Sequence, residues 1–400
     1  MNNTRPSLST STIVLLGLVA LAIAMGIGRF AFTPLMPLMV RDGRLDAATA
    51  TEWAVANYMG YLLGALSASC FKARPERGLG IGMLGVMLTT LAMALLDASM
   101  PLSGAMLRAA AGACSAWVLV CTSSWCLPEL ARRRAATAGS WVYSGVGLGI
   151  AATGIISWIG GAQSAQALWL ELGGMASIGT LWIWRTLSAS PASAALPQSP
   201  ADKANHGSGS GHAGLVFCYG VFGFGYIVPA TYLPSMARQL VPDPRVFGLV
   251  WPVFGMAAAL GVALSSRWLS HYPRRLLWSW AQGLMALGTL LPLLQPSLWT
   301  LTLSAVLVGA TFMVVTMAGL QLAREYMPHQ PAPLLIRMTS SFALGQISGP
   351  LLVRLIGDQV MAGWQALDWA NALATTLLVA TSIWLWRGSK DNQAALSGSK

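Results

Sequence analysis

Residues 12–38 read TIVLLGLVALAIAMGIGRFAFTPLMPL, an apolar run with a single charge, Arg29, inside it. As a helix it is long enough to cross a hydrocarbon core about 30 Å thick. Runs of the same character recur near 52–71, 79–97, 102–127, 136–159 and 166–187, and again near 213–236, 246–268, 275–294, 297–322, 333–356 and 366–386. The 400-residue chain is 55% apolar and 9% charged, with mean hydropathy +0.60. A soluble domain carries about a quarter charged residues. A β-barrel would alternate apolar and polar positions and is excluded. The pattern predicts an all-α integral membrane protein of twelve transmembrane helices in two six-helix bundles.

The formal net charge of +11 reads as topology. With both termini inside, seventeen of the 24 basic residues fall at inner helix ends, five at outer ends, and Arg29 and Arg108 within the membrane. Eight of the 13 acids lie outside. This is the positive-inside arrangement for an even number of spans, and it predicts a multi-pass protein of the bacterial inner membrane with both termini cytoplasmic. The bilayer is the expected partner, and nucleic acid is not. Five cysteines at irregular spacing inside apolar runs predict buried free thiols. Four histidines in connecting segments show no metal-ligand spacing, so neither metal nor cofactor is expected.

The segment 188–212, SASPASAALPQSPADKANHGSGSGH, reads as a flexible cytoplasmic linker between an N-terminal bundle, 1–187, and a C-terminal bundle with a short tail, 213–400. On either side of it the sequence repeats at an offset of 197, pairing Gly26 with Gly223, Gly28 with Gly225, Arg29 with Tyr226, Pro37 with Pro234 and Gly64 with Gly261. Gly145 and Gly149 match Gly345 and Gly349 at an offset of 200. These four glycines, spaced as G-x-x-x-G, suit close helix packing.

Two six-helix halves joined by a linker resemble the major facilitator superfamily. More narrowly, Gly26-Ile-Gly28-Arg29-Phe-Ala-Phe-Thr-Pro34-Leu-Met-Pro37, Ala56-Asn57-Tyr58-Met-Gly60-Tyr61, Tyr143-Ser-Gly145-Val-Gly147-Leu-Gly149 and Cys218-Tyr219-Gly-Val-Phe-Gly223-Phe-Gly225-Tyr226-Ile-Val-Pro229 resemble the YbfB/YjiJ-type family of bacterial transporters. The resemblance implies two bundles with a path between them, the first and fourth helices lining it on the N-terminal side. Two features depart from the wider superfamily. The loop Phe71-Lys72-Ala73-Arg74-Pro75-Glu76-Arg77-Gly78 keeps the basic residues of the usual gate motif and lacks its Asp. Arg108-Ala-Ala-Ala-Gly112 matches the antiporter-associated pattern with Ala111 in place of the common Gln.

Arg29 lies well inside the first span and Arg108 about 10 Å below the outer end of the fourth. A guanidinium in hydrocarbon costs from about 2.5 to more than 10 kcal/mol, so each needs a partner, a wet cavity or a substrate anion. The planar fork of Arg suits a carboxylate or phosphate. The alternatives are that Arg108 snorkels to the outer interface and that Arg29 pairs with helix-end carbonyls or with Glu52. Asn57, Tyr58, Tyr61, Tyr219, Tyr226 and Gln346 offer polar tips for substrate hydrogen bonds. Pro34, Pro37, Gly223, Gly225, Pro229 and Pro234 mark where the first and seventh helices can bend. Trp53, Trp299, Trp364 and Trp369 are expected in interfacial belts.

No carboxylate is predicted near the midplane, which weakens export of cationic drugs by proton exchange. No nucleotide-binding G-x-x-x-x-G-K-[ST] motif occurs, and Gly80-Ile-Gly82-Met-Leu-Gly85 falls inside a span and reads as packing. No intramembrane catalytic pair is evident, so an enzyme is not expected. The sequence predicts a secondary transporter of a small organic solute, an anion by preference, working by alternating access and compatible with proton coupling. The alternative is a proton-coupled exporter of a neutral or amphipathic compound.

Overall fold

The computed structural model describes residues 8–71, 73–135, 138–189, 212–241, 243, 248–269, 271–327, 332–357 and 359–397. Most of the expected linker, together with Lys72, His206, His329 and Asp358, lies outside the described residues. The described chain forms twelve helices: α1 (Thr10–Arg41), α2 (Ala47–Ser67), α3 (Pro75–Met93), α4 (Pro101–Arg132), α5 (Gly139–Ile159), α6 (Ala165–Ala189), α7 (Ala213–Leu240), α8 (Val250–Trp268), α9 (Arg274–Leu294), α10 (Leu298–Tyr326), α11 (Ala332–Ile356) and α12 (Ala366–Ser397). Eight of these are long and apolar enough by themselves to cross a membrane, and α2, α3, α6 and α11 complete the bundles at lower hydropathy. Starts follow local chemistry. Ser9, Asp46 and Ser297 accept the N–H of the third residue that follows each, and Pro75 and Pro101 open α3 and α4, where a missing N–H costs nothing.

Successive helices run in opposite directions, so α1 begins and α12 ends on one face of the bundle, here the terminal face, and the other is the far face. The sequence repeat is reproduced in packing. In α2, Gly64 abuts Ala113 of α4, while in α8 Gly261 abuts Ala310 of α10; likewise Gly112 meets Asn57 and Gly309 meets Phe254. Each pair maps onto its counterpart at the 197-residue offset. Lipid tails are as apolar as the side chains they replace, so helix association inside a bilayer rests on such close backbone approach. The G-x-x-x-G glycines serve the same end, Gly145 and Gly149 seating against Leu18 and Ala22 of α1, and Gly345 against Gly220 of α7. Between the halves, Gly147 and Gly154 of α5 admit Ala259 and Pro252 of α8.

One helix is irregular. Within α1, Ala22–Phe30 is wound as a π-helix between α-helical ends at Thr10–Leu21 and Phe32–Arg41. Gly26 at its centre rests on the backbone of Gly149, where a Cβ would overlap.

Several expectations need correction. Trp53 is fully buried, its indole donating to the Pro101 carbonyl at 3.0 Å, because the ring fills the gap opened by Gly104; Trp299, by contrast, is 84% exposed as a belt residue should be. Cys70 is exposed, whereas Cys121, Cys126 and Cys218 are buried, and all five cysteines are free. Among the described residues no group of three or more His, Cys, Asp and Glu is placed to hold a metal.

Candidate functional site

In the π-helical segment of α1 each backbone bond spans five residues instead of four, and Pro34 just beyond it has no N–H to return to the turn before. Two side chains of α4 donate to carbonyls of this segment. Arg108 donates through Nη1 to the Gly28 carbonyl at 3.2 Å and through Nη2 to the Arg29 carbonyl at 3.0 Å, while Ser115 donates to the Ala24 carbonyl at 2.8 Å. The two residues stand seven apart, two turns, and so share a helix face. Phe32 lies against the Arg108 guanidinium at 4.6 Å, and Asn57 of α2 donates to the Arg108 carbonyl at 2.9 Å. Arg108 therefore does not snorkel: it is 2% exposed and braces the distorted helix.

Held in this way, Arg29 points between the two halves. Its Nη2 donates to Gln346 Oε1 of α11 at 2.6 Å and to the Tyr226 hydroxyl of α7 at 3.4 Å. Gln346 Nε2 also donates to the Tyr226 hydroxyl. An Arg can only donate, so the Gln346 amide is oriented with its oxygen toward the guanidinium. The face of the guanidinium stacks on Tyr61 of α2 at 3.8 Å from the ring centroid. The Tyr226 ring lies parallel between Phe312 and Phe342 at 5.4 and 5.6 Å, which fixes the direction of its hydroxyl. Arg29 is 3% exposed and Gln346 fully buried.

The electrostatics of this cluster are one-sided. Among the described residues neither Arg29 nor Arg108 has an ion pair; Glu52, offered above as a partner, instead pairs with Arg354 at the far face. Arg29 Nε, Arg108 Nε and Asn57 Oδ1 are buried with no hydrogen-bond partner among the described residues. Cation–π contact and neutral acceptors offset part of the desolvation cost of a buried guanidinium, but neutralise none of its charge.

From the level of Arg29 to the far face the halves are tied together. Thr33 donates to the Ala230 carbonyl at 3.1 Å, Tyr58 and Thr231 share a hydrogen bond of 2.8 Å, Thr51 and Tyr232 one of 3.4 Å, and Arg238 donates to the Pro37 carbonyl at 2.6 Å. Arg29 with Tyr226 and Thr33 with Ala230 are repeat-related pairs meeting across the interface.

Of the residues singled out from sequence, Arg29, Tyr58, Tyr61, Tyr226 and Gln346 converge, while Asn57 and Arg108 stand behind them. Tyr219 does not join them. It sits in an aromatic cluster with Trp278, Phe222 and Phe342. Pro34, Pro37, Gly223, Gly225, Pro229 and Pro234 are all buried, and α7 runs as one α-helix through its two prolines. Sequence reasoning missed Thr33, Ser115 and Thr231. Ser115 was detectable from its spacing to Arg108, and Thr33 from its place one turn beyond Arg29.

A separate apolar crevice of about 370 Å³ opens between α1, α5 and α6, lined by Val19, Ile23, Ile27, Ile156, Leu172 and Met175 among others. It contains none of the converging residues.

Solved structures share this architecture. A D-xylose-proton symporter is similar over 94% of this chain and 98% of its own, at 13% identity and a TM-score of 0.74. The POT family transporter PepTSo matches over 94% and 98% at 11% identity and 0.71, and the nucleoside transporter NupG (D323A mutant) over 94% and 99% at 13% identity and 0.68. At such identities the likeness is one of fold. Among curated proteins none matches the chain. The family model described as "uncharacterised MFS-type transporter YbfB" matches residues 21–385. The chain therefore belongs to this family of major facilitator transporters, as a multi-pass membrane protein with the fold of a secondary transporter.

Proposed function

We propose that the protein carries a small organic anion across the bacterial inner membrane by alternating access, with the terminal face cytoplasmic. The observation that carries this reading is Arg29, a guanidinium 3% exposed between the halves that has, among the described residues, no ion pair and no hydrogen-bond partner for Nε. An intramembrane charge without a protein counter-ion is a functional group by default. Arg29 attracts and orients the anion, Tyr61 and Tyr226 enclose it, and Arg108 keeps the π-helical segment in the shape that aims Arg29. The positive-inside distribution supports the orientation. In that orientation the outer end is the sealed one, and bending at Pro34, Pro37, Pro229 and Pro234, with sliding at Gly223 and Gly225, opens it. Substrate moves this equilibrium only through different affinities for the two states. No residue acts as a chemical catalyst, and no cofactor is needed.

The test is thermal unfolding of the purified full chain, wild type and Arg29→Ala, against small carboxylates, phosphate and their neutral analogues. A ligand at about 100 times its dissociation constant stabilises by about 2.7 kcal/mol. Stabilisation by anions in wild type and its absence in Arg29→Ala support the reading. Stabilisation of both proteins by neutral amphiphiles, with anions inert, replaces it by the second reading, proton-coupled export of a neutral or amphipathic compound. The apolar crevice between α1, α5 and α6 favours that alternative, and methyl esters of any active carboxylate separate the two because an anion site rejects them.

A further inference from the structure

A guanidinium presents two donors side by side along its Nε–Nη2 edge, spaced to receive both oxygens of a carboxylate. In Arg29 this edge is half used. Nη2 donates to the single amide oxygen of Gln346 at 2.6 Å and, at longer range, to the Tyr226 hydroxyl at 3.4 Å, and Nε beside it is buried with no hydrogen-bond partner among the described residues. Gln346 is itself fully buried, and its Nε2 is committed to Tyr226. The amide thus imitates one oxygen of a carboxylate and leaves the place of the second unfilled. We infer that Gln346 is the charge-selecting residue of the site: its neutral amide occupies the edge in the empty transporter, and a substrate carboxylate displaces it to seat both oxygens on Arg29 Nε and Nη2.

This deepens the anion reading above and rests on it. It names the substrate class, a compound bearing a planar carboxylate, and the device that keeps the site cationic. A glutamate at 346 would neutralise Arg29 from within. Glutamine holds the side chain in register, offers an acceptor weak enough to be exchanged, and leaves the net charge available. The displacement also has a mechanical consequence. Arg29 belongs to the first half and Gln346 to the second, so a substrate that takes the edge breaks a polar link between the bundles at the base of the sealed end. Ligand binding and release of the seal then draw on one bond.

The experiment uses the detergent-purified full chain as wild type, Gln346→Glu, Gln346→Ala and Arg29→Gln, with unfolding temperature read alone and with acetate, pyruvate, benzoate, inorganic phosphate and benzamide. Gln346→Glu is isosteric and sets an internal carboxylate on Arg29 that neutralises its charge. The expected result is a folded protein at least as stable as wild type in which every carboxylate shift is lost, a weakening of tenfold or more. Gln346→Ala, with the edge freed, keeps the carboxylate response at an equal or severalfold lower dissociation constant. Wild type responds to carboxylates and not to benzamide. A Gln346→Glu protein that is less stable than wild type, or does not fold, shows that the edge does not accept a carboxylate and overturns the inference. So does a Gln346→Glu protein that keeps the wild-type response, or a wild type that answers phosphate and no carboxylate; in both cases the anion site itself stands if Arg29→Gln abolishes the response. A wild type that answers no anion overturns the anion site and this inference together.

Discussion

The first helix of each half occupies the same place in its bundle, yet the two differ where they matter most. In α1 nine residues are π-helical and the helix presents a guanidinium, whereas α7 runs as a continuous α-helix and presents, at the matching position, a phenol. Their packing has stayed alike, glycine against backbone in both. The repeat thus conserves how helices approach one another, while the chemistry of the path is divided: the charge comes from one half, and neutral acceptors from the other. A substrate between them is held by a cation on one side only, and the two halves make unequal contributions to binding although they make equal ones to the fold.

The packing side of this comparison is the easiest to break. A Cβ on Gly26 would overlap the backbone of Gly149, and one on Gly223 the backbone of Phe342. Backbone cannot yield as a flexible side chain does. Gly26→Val and Gly223→Val are each expected to cost at least about 3 kcal/mol, the upper range for overpacking, seen as loss of monodisperse protein and a large fall in unfolding temperature. Equal damage upholds the symmetry of the packing. Tolerance of Gly223→Val alone would mean that only α1 is held this way.

The chemical side predicts the opposite, an unequal outcome. Arg29→Gln removes the charge and is expected to weaken anion binding about 100-fold or more, since hydrogen bonds to a charged group are worth about 1.5–3 kcal/mol each. Tyr226→Phe removes one neutral hydroxyl from the opposite half and is expected to cost about fivefold, near 1 kcal/mol. Ligand titrations followed by unfolding temperature or tryptophan fluorescence compare them directly. Similar losses in the two variants would refute the division of roles.

Much of this was legible before any coordinates. Span number and the internal offset follow from hydropathy and residue pattern, which act locally along the chain, and the cost of a charge in hydrocarbon singles out Arg29 as a group that needs neighbours. The roles of Arg108 and Tyr219 were not legible in the same way. Both are polar groups within apolar runs, and sequence offers no means of telling a side chain aimed at the path from one turned onto a neighbouring helix. Arg108 is turned onto two carbonyls of a π-helical segment that no residue pattern announces. Tyr219 is drawn into an aromatic cluster that its own helix builds with α9 and α11. Trp53 was misplaced for a related reason: an indole near a helix end suits an interface, unless a glycine opposite, here Gly104, opens a slot for it.

The seal at the far face sharpens the comparison at smaller amplitude. Tyr58 of α2 and Thr231 of α7 share one hydrogen bond of 2.8 Å, with one partner in each half. Tyr58→Phe and Thr231→Val each delete it, at about 1 kcal/mol, so each is expected to raise the far-open population about fivefold. Because they remove the same bond, the double variant should add little to either single one. Distances between spin labels at exposed Ser99 and Trp299, one in each half, report the opening. Additive effects would show that the two side chains act through separate contacts.

The smallest effect concerns how the second helix of each half begins. Asp46, in extended backbone, accepts the Thr49 N–H at 2.9 Å and caps α2, whereas Leu249 before α8 is already α-helical and offers no cap. Asp46→Ala is expected to cost about 1 kcal/mol, and Leu249→Ser to gain nothing, because its backbone does not have cap geometry. The Thr49 hydroxyl and N–H hold the Asp46 carboxyl below its ordinary 3.8. A carboxylate depressed in the folded state stabilises above its unfolded value and loses that contribution as pH falls through its folded one. The gap in unfolding temperature between wild type and Asp46→Asn should therefore be constant from pH 7 to about 5 and narrow below about 4. A gap unchanged down to pH 3 would assign the cap to the Asp46 oxygen as a neutral acceptor, and a gain from Leu249→Ser would show that α8 can adopt the start that α2 already has.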